Sequence, residues 1–167
     1  MKRILALAGG VLLAGCATYD GGSLVPGVST AAQAEALMGP SAQQLSLPNG
    51  DRAIYFSRLP YGRAVFVVTV GPDGVMKSIE QRLTRENLAK IVASAWTKKE
   101  VRDLFGPPGE SVRYARLQRE VWSYRYYPDH QRRIIHVQFS DDAVVREVMD
   151  MIDPEDEIKR DGRDGKM

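Results

Sequence analysis

Two histidines, His130 and His136, are the only side chains whose ordinary pKa lies near neutrality. His136 falls in an alternating stretch, residues 133–139, where Ile135, Val137 and Phe139 share one face and His136 lies on the other with Ile134 and Gln138. His130 belongs to the turn Tyr127-Pro128-Asp129-His130. Two histidines with no cysteine beside them and no acid at helical spacing do not make a metal site, so both are read as surface residues. No Gly-x-Ser-x-Gly, His-Glu-x-x-His, phosphate-loop or dinucleotide fingerprint occurs. The carboxylates are scattered rather than paired for acid–base work. The chain is therefore expected not to be an enzyme and to carry no metal or cofactor. What remains is recognition chemistry. Trp122, Tyr124 and Tyr126 alternate on one face of a strand, with Tyr114 placed across from them. Aromatics so spaced form either a core face or a platform for a partner, and Tyr and Trp with Arg make hot spots. Val121 and Ser123 form the opposite, less apolar face, which favours the core. Arg113, Arg116, Arg119, Arg125, Arg132 and Arg133 thicken the same region. The candidate partner-binding residues are Trp122, Tyr124, Tyr126, Arg116 and Arg119, the arginines suiting an acidic protein or a phospholipid headgroup.

The remaining chemical group is the single thiol, Cys16. Before it run a basic start, Met1-Lys2-Arg3, and an apolar stretch of eleven residues, 4–14. A membrane-spanning helix needs about 20 apolar residues, so this stretch reads as a cleaved secretory signal over residues 1–15. The exit, Leu13-Ala14-Gly15-Cys16, looks like the bacterial lipobox. There a diacylglyceryl group joins the cysteine sulfur as a thioether, and the small residues before it let a peptidase reach the backbone. Cys16 is thus the expected lipid-attachment site, and its acyl chains the only expected covalent group. Ala17 rather than Asp at the next position favours the outer membrane by lipoprotein sorting rules. More than one acyl chain holds a protein stably.

Composition agrees with a modest globular domain: 167 residues, 44% hydrophobic and 26% charged. The net charge of +2 vanishes if residues 1–15 leave with Lys2 and Arg3, so a nucleic-acid partner is not expected. The body repeats itself. At an offset of 67, Thr30 meets Thr97, Gly39-Pro40 meets Gly106-Pro107, and Ile54-Tyr55 meets Val121-Trp122. At 69, Val68 meets Val137, Val70 meets Phe139, Asp73 meets Asp142 and Val75 meets Val144. Each copy opens on a Thr N-cap and a short helix. A glycine C-cap and proline follow, and then four alternating strands. The strands are expected over 43–47, 52–58, 64–70 and 75–80, then 111–117, 120–127, 133–139 and 144–149. A further helix is expected over 85–95, with Leu88, Ile91 and Val92 on one face. The fold class is α+β: two tandem helix-plus-antiparallel-sheet units with the helices on one face of the sheet. The units span 27–83 and 84–149. Residues 16–26 read as a linker and 150–167 as a charged, solvated tail.

This arrangement resembles the SmpA/OmlA (BamE-like) family of small outer-membrane assembly lipoproteins, over roughly residues 27–149. The residues that carry it are Gly27-Val28-Ser29-Thr30, Met38-Gly39-Pro40, Tyr55 and Val70-Gly71-Pro72-Asp73-Gly74-Val75 in the first unit. In the second they are Trp96-Thr97, Phe105-Gly106-Pro107, Trp122-Ser123-Tyr124 and Phe139-Ser140-Asp141-Asp142-Ala143-Val144. The family's assembly lipoprotein has one such unit, and here there are two, with Ala143 where the hairpin glycine stands. Two tandem units resemble the β-lactamase inhibitor protein, whose sheet offers a concave binding face. The resemblance implies a non-enzymatic, lipid-anchored protein at the periplasmic face of the outer membrane. It would bind outer-membrane assembly or other envelope proteins, and anionic phospholipid. The alternative is an inhibitor-like or ligand-sequestering protein that uses the concave sheet.

Overall fold

The computed structural model describes residues 20–155; the signal segment, Cys16 and residues 156–167 lie outside the described residues. The fold is α+β, with two four-stranded antiparallel sheets and a few short helices. Helix α1 (Ala31–Met38) precedes strands β1 (Gln43–Ser46), β2 (Arg52–Ser57), β3 (Val65–Val70) and β4 (Met76–Gln81). A single helical turn, α2 (Arg85–Leu88), leads to α3 (Lys98–Phe105). Strands β5 (Glu110–Tyr114), β6 (Arg119–Tyr126), β7 (Arg133–Ser140) and β8 (Val145–Ile152) follow. Each sheet is a meander in chain order.

The duplication seen in the sequence extends to individual hydrogen bonds. Thr30 caps α1 and Thr97 caps α3, each in a reciprocal capping box with the residue three positions on. Thr30 bridges to Val75 and Thr97 to Val144. The N–H of Ala31 reaches Gly74 O, and that of Lys98 reaches Ala143 O. Both β3–β4 and β7–β8 shift register at one place, Thr69/Val70 and Gln138/Phe139. The second strand of each unit breaks the constant offset. Ala42 N–H bonds Tyr55 O, and the counterpart bond is Gly109 N–H to Ser123 O. Tyr55 therefore corresponds to Ser123, and Ile54 to Trp122, at an offset of 68 rather than the expected 67. A slip of one residue reverses every face of a strand. Ile54 packs with Ala34 and Met38 of α1, while Trp122 packs with Val101 and Phe105 of α3.

Tyr55, on the reverse face, belongs to the second unit's core. It clusters with Ala53, Val65 and Val67 against Val101, Phe105 and the inner face of the second sheet. Its hydroxyl donates to Asp103 O at the end of α3. Gly106, which closes α3 at φ 76°, has Tyr55 Cδ1 3.0 Å from the place a Cβ would occupy. Helix α3 is thus gripped by both sheets, whereas α1 packs on the first sheet alone.

Three sequence expectations are corrected. The helix over 85–95 is one turn, because from Val92 the chain forms the tight turn that Val25–Ser29 forms in the first unit. Residues 20–26 of the expected linker are folded: Leu24 packs into the first core, and Gly27 and Ser29 bond both sides of Met76. The tail does not begin at Asp150. Strand β8 runs to Ile152, and Asp153 is fully buried.

Candidate binding face

The expected aromatic platform is core. Trp122, Tyr124 and Tyr126 are all buried in the cluster around α3. Trp122 meets Phe139 edge-on at 4.8 Å between centroids and donates its indole N–H to Glu120 at 2.6 Å. Tyr124 packs on Phe105 at 5.3 Å and donates to Gly106 O at 3.2 Å. Burial holds the Tyr124 hydroxyl far above its ordinary pKa and pushes Tyr126 up to about 12. None of the three offers surface to a partner, so the partner-binding role expected of them does not hold. Tyr114 is not across from them either. It pairs with Arg119, which places it on the opposite face.

That opposite face is the open one. Paired residues lie on the same side of a sheet, and here the outward set is Tyr114, Arg119, Val121, His136, Gln138, Met149 and Met151. With Leu117 from the 3₁₀ turn at Ala115–Leu117 they line a depression of about 410 Å³. Leu117 is 67% exposed, and Tyr114 and Met151 about half. Exposed apolar groups gathered in one place mark a site of contact, where scattered ones would not. Methionines suit such a face because the flexible thioether adapts to its partner.

The polar groups in the depression are few. His136 Nδ1 and Ser123 Oγ share a hydrogen bond at 2.8 Å. Burial lowers the pKa of His136, and the nearby Glu110 charge opposes that only in part. Arg119 lines the depression and donates to Gln118 O at 3.2 Å, while Arg116 stands exposed in the adjoining 3₁₀ turn. Three of the other arginines are neutralised by carboxylates. Arg113 pairs with Asp141 at 2.7 Å, Arg133 with Asp150 at 2.8 Å, and Arg125 with Asp153 and Glu155. His130 is exposed in the turn Pro128–His130.

Of the residues proposed from sequence, Arg119 lines this depression; Tyr114, Leu117, Met149 and Met151 are not among those proposed as partner-binding. The signal lay in residues 145–152, where Val148 alternates with Met149 and Met151, so that both faces of the strand are apolar. Among the described residues no helix is long and apolar enough to cross a membrane. Nor does any group of three or more His, Cys, Asp or Glu stand together to hold a metal ion.

No family model matches the chain, and no curated protein matches it. Among solved structures it is similar to a DUF4309 family protein (YjgB) from Bacillus subtilis. The identity is 15% and the TM-score 0.31, over 79% of this chain and 84% of that one. A likeness of that size carries no argument about function.

Proposed function

We propose that the chain is a lipid-anchored, non-enzymatic binding module of the bacterial outer membrane, related to the SmpA/OmlA family. It is held at the periplasmic face through acylated Cys16. Its partner is an envelope protein, such as a component that assembles the outer membrane, seated on the outward face of the second sheet. The observation that carries the binding role is the apolar depression around Tyr114, Leu117, Met149 and Met151, open to solvent on the second sheet. The anchoring rests on Leu13-Ala14-Gly15-Cys16, and the kinship on the capped helices, Gly-Pro turns and Asp-containing hairpins repeated in both units. Arg116 and Arg119 would supply the contact to an acidic partner or headgroup. A photo-crosslinking residue at Met151 in living cells, read by mass spectrometry, tests the proposal. Adducts with envelope proteins support it. Adducts with one soluble enzyme support the inhibitor-like alternative, which the tandem two-unit plan also accommodates. No adduct at Met151 or Tyr114 removes the face from consideration.

A further inference from the structure

We infer that the first unit rests on the bilayer through the turn at residues 25–29, with Val28 at the lipid surface. The inference deepens the anchoring reading above and depends on acylation of Cys16. The described chain begins four residues beyond that cysteine, and four residues span at most about 14 Å. There is no slack after that. Gly21 lies against Ile79, Leu24 is packed in the first core, and the N–H of Gly27 and the carbonyl of Ser29 both bond Met76 at 2.8 Å. The acylated sulfur sits at the level of the lipid headgroups, so the surface around Asp20 must lie beside them.

That surface suits lipid. Val28 is 71% exposed, and its counterpart in the second unit is Ala95. Val25 is exposed too, but so is its counterpart Val92; the turn itself tolerates an apolar residue there, and Val28 is the one added. Residues 20–40 carry only two charges, Asp20 and Glu35, and no Lys or Arg. Helix α1 has one charged residue in eight, whereas α3 has five: Lys98, Lys99, Glu100, Arg102 and Asp103. Residues 20–40 bring no basic group to such a contact, and Lys77 beside Met76 is already paired with Asp51, so the contact is chiefly apolar and draws little on anionic headgroups. The packing order then carries the depression on the second sheet away from the bilayer, since α1 covers the opposite side of the first sheet.

The test uses the full lipidated protein. Acylation consumes the one native thiol, so Val28→Cys and, separately, Met151→Cys can each be labelled with an environment-sensitive fluorophore. Each is reconstituted in phosphatidylcholine vesicles, with and without phosphatidylglycerol, containing nitroxide-labelled lipid. We expect quenching at position 28 several-fold greater than at 151 and equal in both lipid mixtures. Equal quenching at the two positions, or quenching at 28 only with phosphatidylglycerol, overturns the inference. So does a label at 28 shielded from aqueous iodide but not reached by lipid nitroxide, which would place a protein there. Mass spectrometry of the same samples separates the two failures. An unmodified Cys16 removes the anchoring reading and this inference together, whereas an acylated Cys16 with an unquenched label at 28 removes the orientation alone.

Discussion

Replacing Asp153 by Ala should destabilise the protein through a contact that joins the two units. Asp153 follows β8 and is wholly buried, and its Oδ2 accepts from Arg63 Nη1 at 2.6 Å. Arg63 lies 90 residues earlier, in the loop between β2 and β3. Arg125 Nε of β6 stands 3.4 Å from the same oxygen, and Glu155 N–H donates to Oδ1 at 3.1 Å. Removing one member of a buried pair costs about 3–5 kcal/mol. Arg63 and Arg125 both keep some access to water, which places the loss near the lower end, about 3 kcal/mol. For a chain of this length that is a fall in Tm of about 6–12 °C, read by circular dichroism. The dependence on pH is fixed in sign. Burial raises the Asp153 pKa, but the hydrogen bonds from Arg63 and Glu155, with the charges of Arg63 and Arg125, outweigh it and leave the value below 3.8. A lowered carboxyl pKa contributes stability that is complete above the unfolded value and is lost as pH falls through the folded one. The gap between wild type and variant should therefore be full at pH 7 and close toward pH 3. A difference below about 0.5 kcal/mol at neutral pH, within the range of an ordinary surface substitution, would refute the clasp.

Four other outcomes follow from the same packing. A chain ending at Pro154 keeps Asp153 and, among the described contacts, loses the exposed bridges of Glu155 and its N–H bond to Asp153 Oδ1, so it should lose about 1–2 kcal/mol; a chain ending at Ile152 should melt like Asp153→Ala. Gly39 and Gly106 both cap helices at positive φ, at 84° and 76°, but only Gly106 faces Tyr55. Gly39→Ala should cost about 1–3 kcal/mol from backbone conformation alone, and Gly106→Ala about 1–3 kcal/mol more from the clash with a held ring; equal costs in denaturant titrations would place α3 away from the first sheet. Ala143 sits at φ 63° where the first unit has Gly74. Its left-handed backbone costs about 1–2 kcal/mol, and a glycine returns about 0.4–1 kcal/mol of that as unfolded-chain entropy. Ala143→Gly should therefore raise the Tm, and a fall would contradict the turn geometry. His136 should titrate below 6.5 by NMR. A lowered histidine pKa means the unfolded chain takes up its proton first, so stability declines as pH falls below about 6.5, and His136→Gln should flatten that slope.

Much of this architecture is legible in the sequence because its signals are local. Thr30, Thr97, Gly39-Pro40 and Gly106-Pro107 mark both helices through capping chemistry that acts within four residues. The strands read from alternation, and all eight appear within a few residues of their expected places. What could not be read depends on contacts distant in the chain. The one-residue difference that makes Ile54 rather than Tyr55 the counterpart of Trp122 lies in a turn, where insertion leaves no periodic trace. Asp153 reads as part of the polar tail expected from residue 150 because its partner, Arg63, stands 90 residues away. Trp122, Tyr124 and Tyr126 fitted either a core or a platform. Their burial was decided by α3 and by the reverse face of the first sheet, neither visible in the strand itself. The open face was hidden for the mirror reason: Met149 and Met151 look like core residues until Ile134 and His136, their partners in β7, are seen to face outward with them.

The proposed anchoring of the chain to the membrane is tested most directly at Cys16. The protein should be purified from bacterial membranes in detergent and the mass of its N-terminal peptide measured. We expect a chain that starts at Cys16 and carries a diacylglyceryl thioether with an acylated amine. A free thiol at Cys16, or a mature chain that starts at any other residue, would contradict it.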